Sequence, residues 1–204
     1  SDRDWSSDVC SSDLLLAGGH SLLPMMKLRF AQPAHLIDLN RIGSLQGIRE
    51  EGAEIVIGAM TVENDLIGSR ILQTRVPLLP EAARLIADPQ VRNRGTIGGD
   101  IAHGDPGNDH PALSLVVDAT FVLEGANGRR QVKADNFFHG TYMTELADDE
   151  LLELLLFHAV ERLDLFADGR LALAVQLALR LLDVRVRLEQ RVELERLAKH
   201  LGLQ

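Results

Sequence analysis

At 204 residues, with 46% hydrophobic and 25% charged residues, the chain has the make-up of one globular domain, or one domain with a small appendage. Its net charge of −9 argues against nucleic-acid binding, which calls for clustered Lys and Arg. Cys10 is the single cysteine, which leaves no disulfide framework and no iron–sulfur cluster held by this chain alone. No apolar run approaches the ~20 residues of a membrane span. The first residues are acidic and polar rather than basic and then apolar, so no signal peptide is expected and the cytoplasm is the expected compartment.

Taken in chain order, Ser1–Asp13 is polar and repetitive, with SSD occurring twice, and is expected to be a disordered or extraneous tail. Leu14–Leu16 is a short apolar run ending in Gly18-Gly19, which reads as a strand feeding a tight turn. His35–Leu39 and Glu54–Ile57 read as further short strands. Thr61 is placed to cap a helix starting near Val62, with Glu63 favourably set at its positive end. Pro80–Ala87 reads as a helix opening on proline, and Leu115–Leu123 as a strand rich in β-formers. Ala126-Asn127-Gly128 is a hairpin turn leading into Gln131–Lys133. Short strands mixed with helices in no regular alternation predict an α+β domain over residues 14–152.

Beyond that the composition changes. From Leu151 onward 18 of the last 54 residues are leucine, none is proline, and acidic and basic residues balance. Leu177, Leu181, Val184 and Leu188 recur at helical spacing, so 153–204 is expected to form an atypical helical segment.

Two glycine-rich segments carry the candidate chemistry. In Ala17, Gly18, Gly19, His20 and Ser21, a strand stops at two glycines whose missing Cβ atoms let backbone N–H groups converge on an anion. In Thr96, Ile97, Gly98, Gly99 and Asp100 the glycines again free the backbone, and Thr96 offers a hydroxyl. Arg92 and Arg94 read either as phosphate neutralisers or as caps of the preceding helix. Asp109 reads either as an acceptor for a ribose or flavin group or as the N-cap of a helix starting near Pro111. The G-x-G-x-x-G and G-x-x-x-x-G-K fingerprints are absent, which disfavours a Rossmann or P-loop site. His20, His103 and His110 lack metal-ligand spacing, so no metal site is expected.

With both segments in view, the chain resembles the FAD-binding medium subunit of the molybdenum hydroxylases, as in carbon monoxide dehydrogenase medium chains and the FAD domain of xanthine dehydrogenase. The resemblance rests on AGGHSLLPMMKLRFAQPAHLIDLNRI (Ala17–Ile42), IGAMT (Ile57–Thr61), VRNRGTIGGDIAHGDPGNDHPA (Val91–Ala112) and FFHGTYMTELADDELL (Phe137–Leu152). It implies a vanillyl-alcohol-oxidase-type (PCMH-type) FAD-binding fold of two α+β subdomains. It also implies that Ala17–Ser21 and Thr96–Asp100 wrap the FAD diphosphate, that Asp109 contacts the cofactor further along, and that no residue here is catalytic in the chemical step.

By the same resemblance, a large molybdopterin-binding subunit and a small iron–sulfur subunit are the partners, and FAD passes their electrons to an external acceptor. A stand-alone flavoprotein reductase and a truncated or chimeric non-catalytic remnant are the alternative readings. The family usually carries Asn or Ser where Asp100 stands, so weaker flavin retention than in an Asp100→Asn variant is expected. The domain is also expected to be incomplete at its N-terminal side.

Overall fold

The computed structural model describes residues 13–158. Among these the expected α+β composition is found. A short parallel pair, β1 (Leu14–Leu16) and β2 (Leu36–Asp38), flanks helix α1 (Leu22–Lys27). An antiparallel five-stranded sheet follows, built from β3 (Ile48–Glu51), β4 (Glu54–Gly58), β5 (Thr120–Gly125), β6 (Gly128–Lys133) and β9 (Glu150–His158) in the order β3-β4-β9-β5-β6. Between β4 and β5 the chain makes six helices: α2 (Glu63–Gly68), α3 (Arg70–Arg75), α4 (Leu78–Leu85), α5 (Pro89–Arg92), α6 (Ile97–His103) and α7 (Asp109–Val116). A small hairpin, β7 (Phe138–Gly140) and β8 (Met143–Thr144), precedes β9.

Period-two patterning explains how the sheet holds these helices. Ile55 and Ile57 on β4, Phe121 and Leu123 on β5, and Leu155 and Phe157 on β9 belong to one core with Leu66, Leu72, Leu79, Ile97 and Ile101 from the helices. Phe121 meets Phe137 edge-on at 4.7 Å, a favoured aromatic geometry. Strict alternation would turn Leu152 away from this core. A register shift against Val122/Leu123 inserts one extra residue in β9 and returns Leu152 to the same side as Leu155. The extra residue has a use: the Glu153 carbonyl accepts the Ala59 N–H at 2.9 Å, fixing the exit of β4 toward the glycine segments.

Several local expectations change against the structure. The Leu115–Leu123 run is not one strand: its first residues complete α7, Asp118 turns with φ +49°, and β5 begins at Thr120. Tertiary packing of Leu113 and Val117 outweighs their β-branched neighbours' preference. The helix expected at Pro80 starts two residues earlier, at Leu78, and ends at Leu85; proline fits its first turn, where no intrahelical N–H is needed. Thr61 does not cap α2, whose N-cap is Val62. Its hydroxyl exchanges hydrogen bonds with Gly47 instead, accepting the N–H at 3.0 Å and donating to the carbonyl at 3.2 Å. α1 and β3 carried no clear signal of their own.

The hairpin at Ala126–Asn127 forms as expected, with Gly128 at φ +100°. The boundary expected after Leu152 falls inside β9, which continues to His158 as the central strand. The expectations for residues 1–12 and for a helical segment beyond His158 lie outside the described residues. Among the described residues no helix is long and apolar enough to cross a membrane.

Candidate functional site

The two glycine segments, some 75 positions apart in sequence, lie side by side. Contact is made backbone to backbone. A Cβ on Gly18 would stand 2.3 Å from the Arg94 carbonyl oxygen and 3.0 Å from the Gly95 Cα. Only glycine permits that approach. A Cβ on Gly99 would likewise stand 3.2 Å from the Ala17 Cβ. His20 ties the first segment to α5, just before the second, by donating from Nε2 to the Val91 carbonyl at 3.1 Å. Asn40, just past β2, donates to the Ala17 carbonyl at 3.1 Å and anchors the first segment from below.

The segments differ in what they leave open. Backbone N–H groups of Gly18, Gly19, His20 and Ser21 take no acceptor among the described residues. Gly19 sits at φ +78°, a left-handed conformation that favours glycine. Such a run of unpaired donors suits an anion. The second segment is stitched to the end of β4 and the start of α2. Ile97 N–H donates to Thr61 at 3.1 Å, Gly98 N–H to Ala59 at 2.8 Å, and Glu63 N–H to the Gly95 carbonyl at 3.1 Å. Thr96 caps α6, its hydroxyl accepting the Gly99 N–H at 3.3 Å. A Cβ on Gly98 would stand 2.3 Å from that of Ala59, so this wall has no slack.

Between the segments opens a cavity of about 410 Å³. Of the residues the sequence singled out, Ala17, Gly18, Gly19, His20, Ser21, Thr96, Gly98, Gly99 and Asp100 line it. Two do not. Ile97 is 1% exposed and faces the helical core, and Asp109 is the first residue of α7, behind the wall. The N-cap of that helix is Asn108 rather than Asp109. Arg92 resolves toward capping: its guanidinium donates to the Ile86 and Ala87 carbonyls at 2.9 and 3.0 Å, at the end of α4. Apolar side chains of Leu15, Met25, Leu39, Met60 and Ile86 complete the cavity.

Sequence reasoning missed a buried pair beside Asp100, of which Glu63 also lines the cavity. Glu63 and His110 are 3% and 1% exposed, and the His110 Nε2 lies 2.9 Å from each Glu63 carboxylate oxygen. Burial alone would push His110 down, but the hydrogen bond and charge of Glu63 outweigh it and hold the imidazole above its usual range. Asp100 adjoins the pair, and burial is the main cause that raises it to about 6. Glu63 read only as a helix-end charge and His110 only as a rejected metal ligand; 47 positions apart, they carried no pairing signal. Among the described residues no group of three acidic, His or Cys side chains could hold a metal ion.

The family described as "FAD binding domain in molybdopterin dehydrogenase" matches residues 10–157. The carbon monoxide dehydrogenase medium chain of Hydrogenophaga pseudoflava is 78% identical over 138 residues, covering 68% of this chain and 48% of that protein. The corresponding medium chain of Afipia carboxidovorans is 54% identical over 137 residues, covering 67% and 48%.

Among solved structures, carbon monoxide dehydrogenase from Hydrogenophaga pseudoflava, in a form lacking the Mo-pyranopterin moiety of the molybdenum cofactor, superposes with a TM-score of 0.72 at 69% identity. That match covers 80% of this chain and 55% of the other. Quinoline 2-oxidoreductase from Pseudomonas putida 86 gives a TM-score of 0.71 at 32% identity, covering 76% and 53%. The chain spans about half the length of the curated relatives it matches.

Proposed function

This chain belongs to the family of FAD-binding domains in molybdopterin dehydrogenases, and from that premise we propose that its two abutting glycine segments hold the diphosphate of FAD. One observation carries the reading: four consecutive N–H groups, Gly18 to Ser21, take no acceptor among the described residues and belong to a segment that lines one cavity with a second glycine wall, across a backbone contact that no side chain could share. Each donor contributes a hydrogen bond to a charged oxygen, the stronger class of such bonds. The second segment adds mainly shape, since the N–H groups of Ile97, Gly98, Gly99 and Asp100 are already used. Thr96, Gly98 and Gly99 let the nucleotide approach the backbone closely. Asp109, outside the lining of this cavity, contacts the cofactor further along in this reading.

In this reading the β1–β2 unit and the five-stranded unit are the two subdomains of a PCMH-type fold, with the flavin-binding unit beginning at Leu14. Bound FAD supplies the redox chemistry, accepting electrons and passing them to an external acceptor. The chain acts as the cytoplasmic flavin subunit of a molybdenum-hydroxylase-type oxidoreductase, alongside a large molybdopterin-binding subunit and a small iron–sulfur subunit. Its single cysteine fits that division, because every redox centre other than the flavin must come from a partner.

The reading is tested by incubating the purified chain with FAD, removing free nucleotide and recording the visible spectrum. Stoichiometric protein-bound flavin is expected. A colourless protein, under conditions where its circular dichroism shows a folded α+β chain, would contradict the proposal.

A further inference from the structure

The flavin reading gives no role to the acid–base cluster that Asp100 forms with Glu63 and His110. Three elements build it. Glu63 opens α2, His110 lies in the first turn of α7 and Asp100 lies on α6; Glu63 and Asp100 both line the cavity. The Asp100 Oδ2 is buried and has no hydrogen-bond partner among the described residues. Glu63 already engages the imidazole with both carboxylate oxygens. That pair is net neutral, so Asp100 has no counter-ion of its own. An ionised Asp100 would then set a second negative charge, poorly solvated, in the wall of a cavity that receives a diphosphate.

We propose that Asp100 acts as a protonated carboxyl whose O–H donates to the diphosphate, so that binding the flavin nucleotide takes up one proton from solvent. The proposal rests on the flavin reading above. In the step, the Asp100 carboxylate gains a proton from water or buffer; one O–H bond forms and nothing is oxidised or reduced. Protonation converts the residue from acceptor to donor.

The surroundings favour this. Burial first, then the charges of Glu63 on α2 and Asp109 on α7, push Asp100 up to about 6, against the opposing pull of the His110 charge and N–H. His20 from the first segment, His103 on α6 and Glu150 on β9 are the other titratable groups in the cavity wall. A bound phosphate adds negative charge and moves Asp100 further upward.

The test is calorimetric titration of the full chain with FAD near pH 7.5 in HEPES and in Tris, whose ionisation enthalpies differ. The dependence of the observed heat on buffer gives the protons exchanged. Uptake approaching one proton is expected, falling to none in Asp100→Asn. At about pH 8 the Asn variant is expected to bind FAD more tightly, by up to about a hundredfold, since two pH units separate that condition from the free carboxyl. Near pH 5 the two proteins converge. Binding without proton exchange, or uptake that persists in Asp100→Asn, overturns the proposal while leaving the flavin reading intact. Absence of FAD binding by either protein at any pH overturns both.

Discussion

Gly18→Ala is expected to strip bound flavin from the chain. The added methyl would stand 2.3 Å from the Arg94 carbonyl oxygen, a backbone atom that cannot swing aside like a side-chain tip. One of the two segments must move. Overpacking of this kind costs typically about 1–3 kcal/mol, and a backbone neighbour places this case at the upper end. The segments are also the cavity's opposite walls, so the displacement acts directly on the space for the ligand. With about 1.4 kcal/mol per tenfold in affinity, a loss of at least about tenfold to a hundredfold in FAD binding is expected. Gly43→Ala is the control, because nothing lies within 4 Å of its added methyl and its φ is ordinary. Unchanged flavin content in Gly18→Ala would mean that the contact does not shape the site.

Breaking the Glu63–His110 pair is expected to have the largest effect on stability. Both groups are almost fully buried, so Glu63→Met leaves an imidazole that must lose its proton or remain an unpaired charge in the interior. Removing one partner of a buried pair costs about 3–5 kcal/mol. Replacing both, as Glu63→Met with His110→Phe, restores apolar packing and is expected to recover a good part of that loss. The non-additivity in a double-mutant cycle is the signature to look for.

The pH dependence has a definite sign. His110 is raised in the folded state, so its contribution is fully present below its unfolded value of about 6.5 and is lost as pH rises through its folded value. Asp100, raised from 3.8 to about 6, acts in the same direction over the window between those values. Below about pH 5 the carboxyls of Glu150, Glu145, Asp88 and Asp38, held below their usual range, act in the opposite direction, so the test lies above that window. Denaturant midpoints should fall as pH rises from about 6.5 toward 9, and Glu63→Met should flatten that slope. An upper slope left unchanged by Glu63→Met would refute the arrangement.

What could be read from the sequence was what short-range chemistry dictates. Gly18-Gly19 after an apolar run gave a strand and a turn, and Ala126-Asn127-Gly128 gave the hairpin, because those backbone demands are local. The cavity-lining segments were legible for the same reason. Their adjacency rested on family resemblance, since nothing in either segment specifies a partner 75 positions away. Where the reading differed from the structure, tertiary contacts had overruled local preference. Leu115 and Val116 are good strand residues that close a helix, and Thr61 gives its hydroxyl to Gly47 rather than to a helix end.

Ile97 shows a subtler limit. A motif groups consecutive residues, but a helix sends its successive side chains to different faces, so Ile97 enters the core while Gly98 and Gly99 line the cavity. Asp100 was legible as a carboxylate in a segment read as a phosphate site. Its burial beside Glu63 and His110, which turns a simple repulsion into a titratable contact, became visible only once three helices were in place.

The central claim is that the two glycine segments bind the diphosphate, and the most direct test is an equilibrium titration of the full chain with FAD against riboflavin, followed by flavin fluorescence. Riboflavin carries the same ring system without phosphates. The account predicts that FAD binds at least about tenfold more tightly, the equivalent of one well-formed charge-assisted hydrogen bond. Equal affinity for the two, or binding of neither, would contradict it.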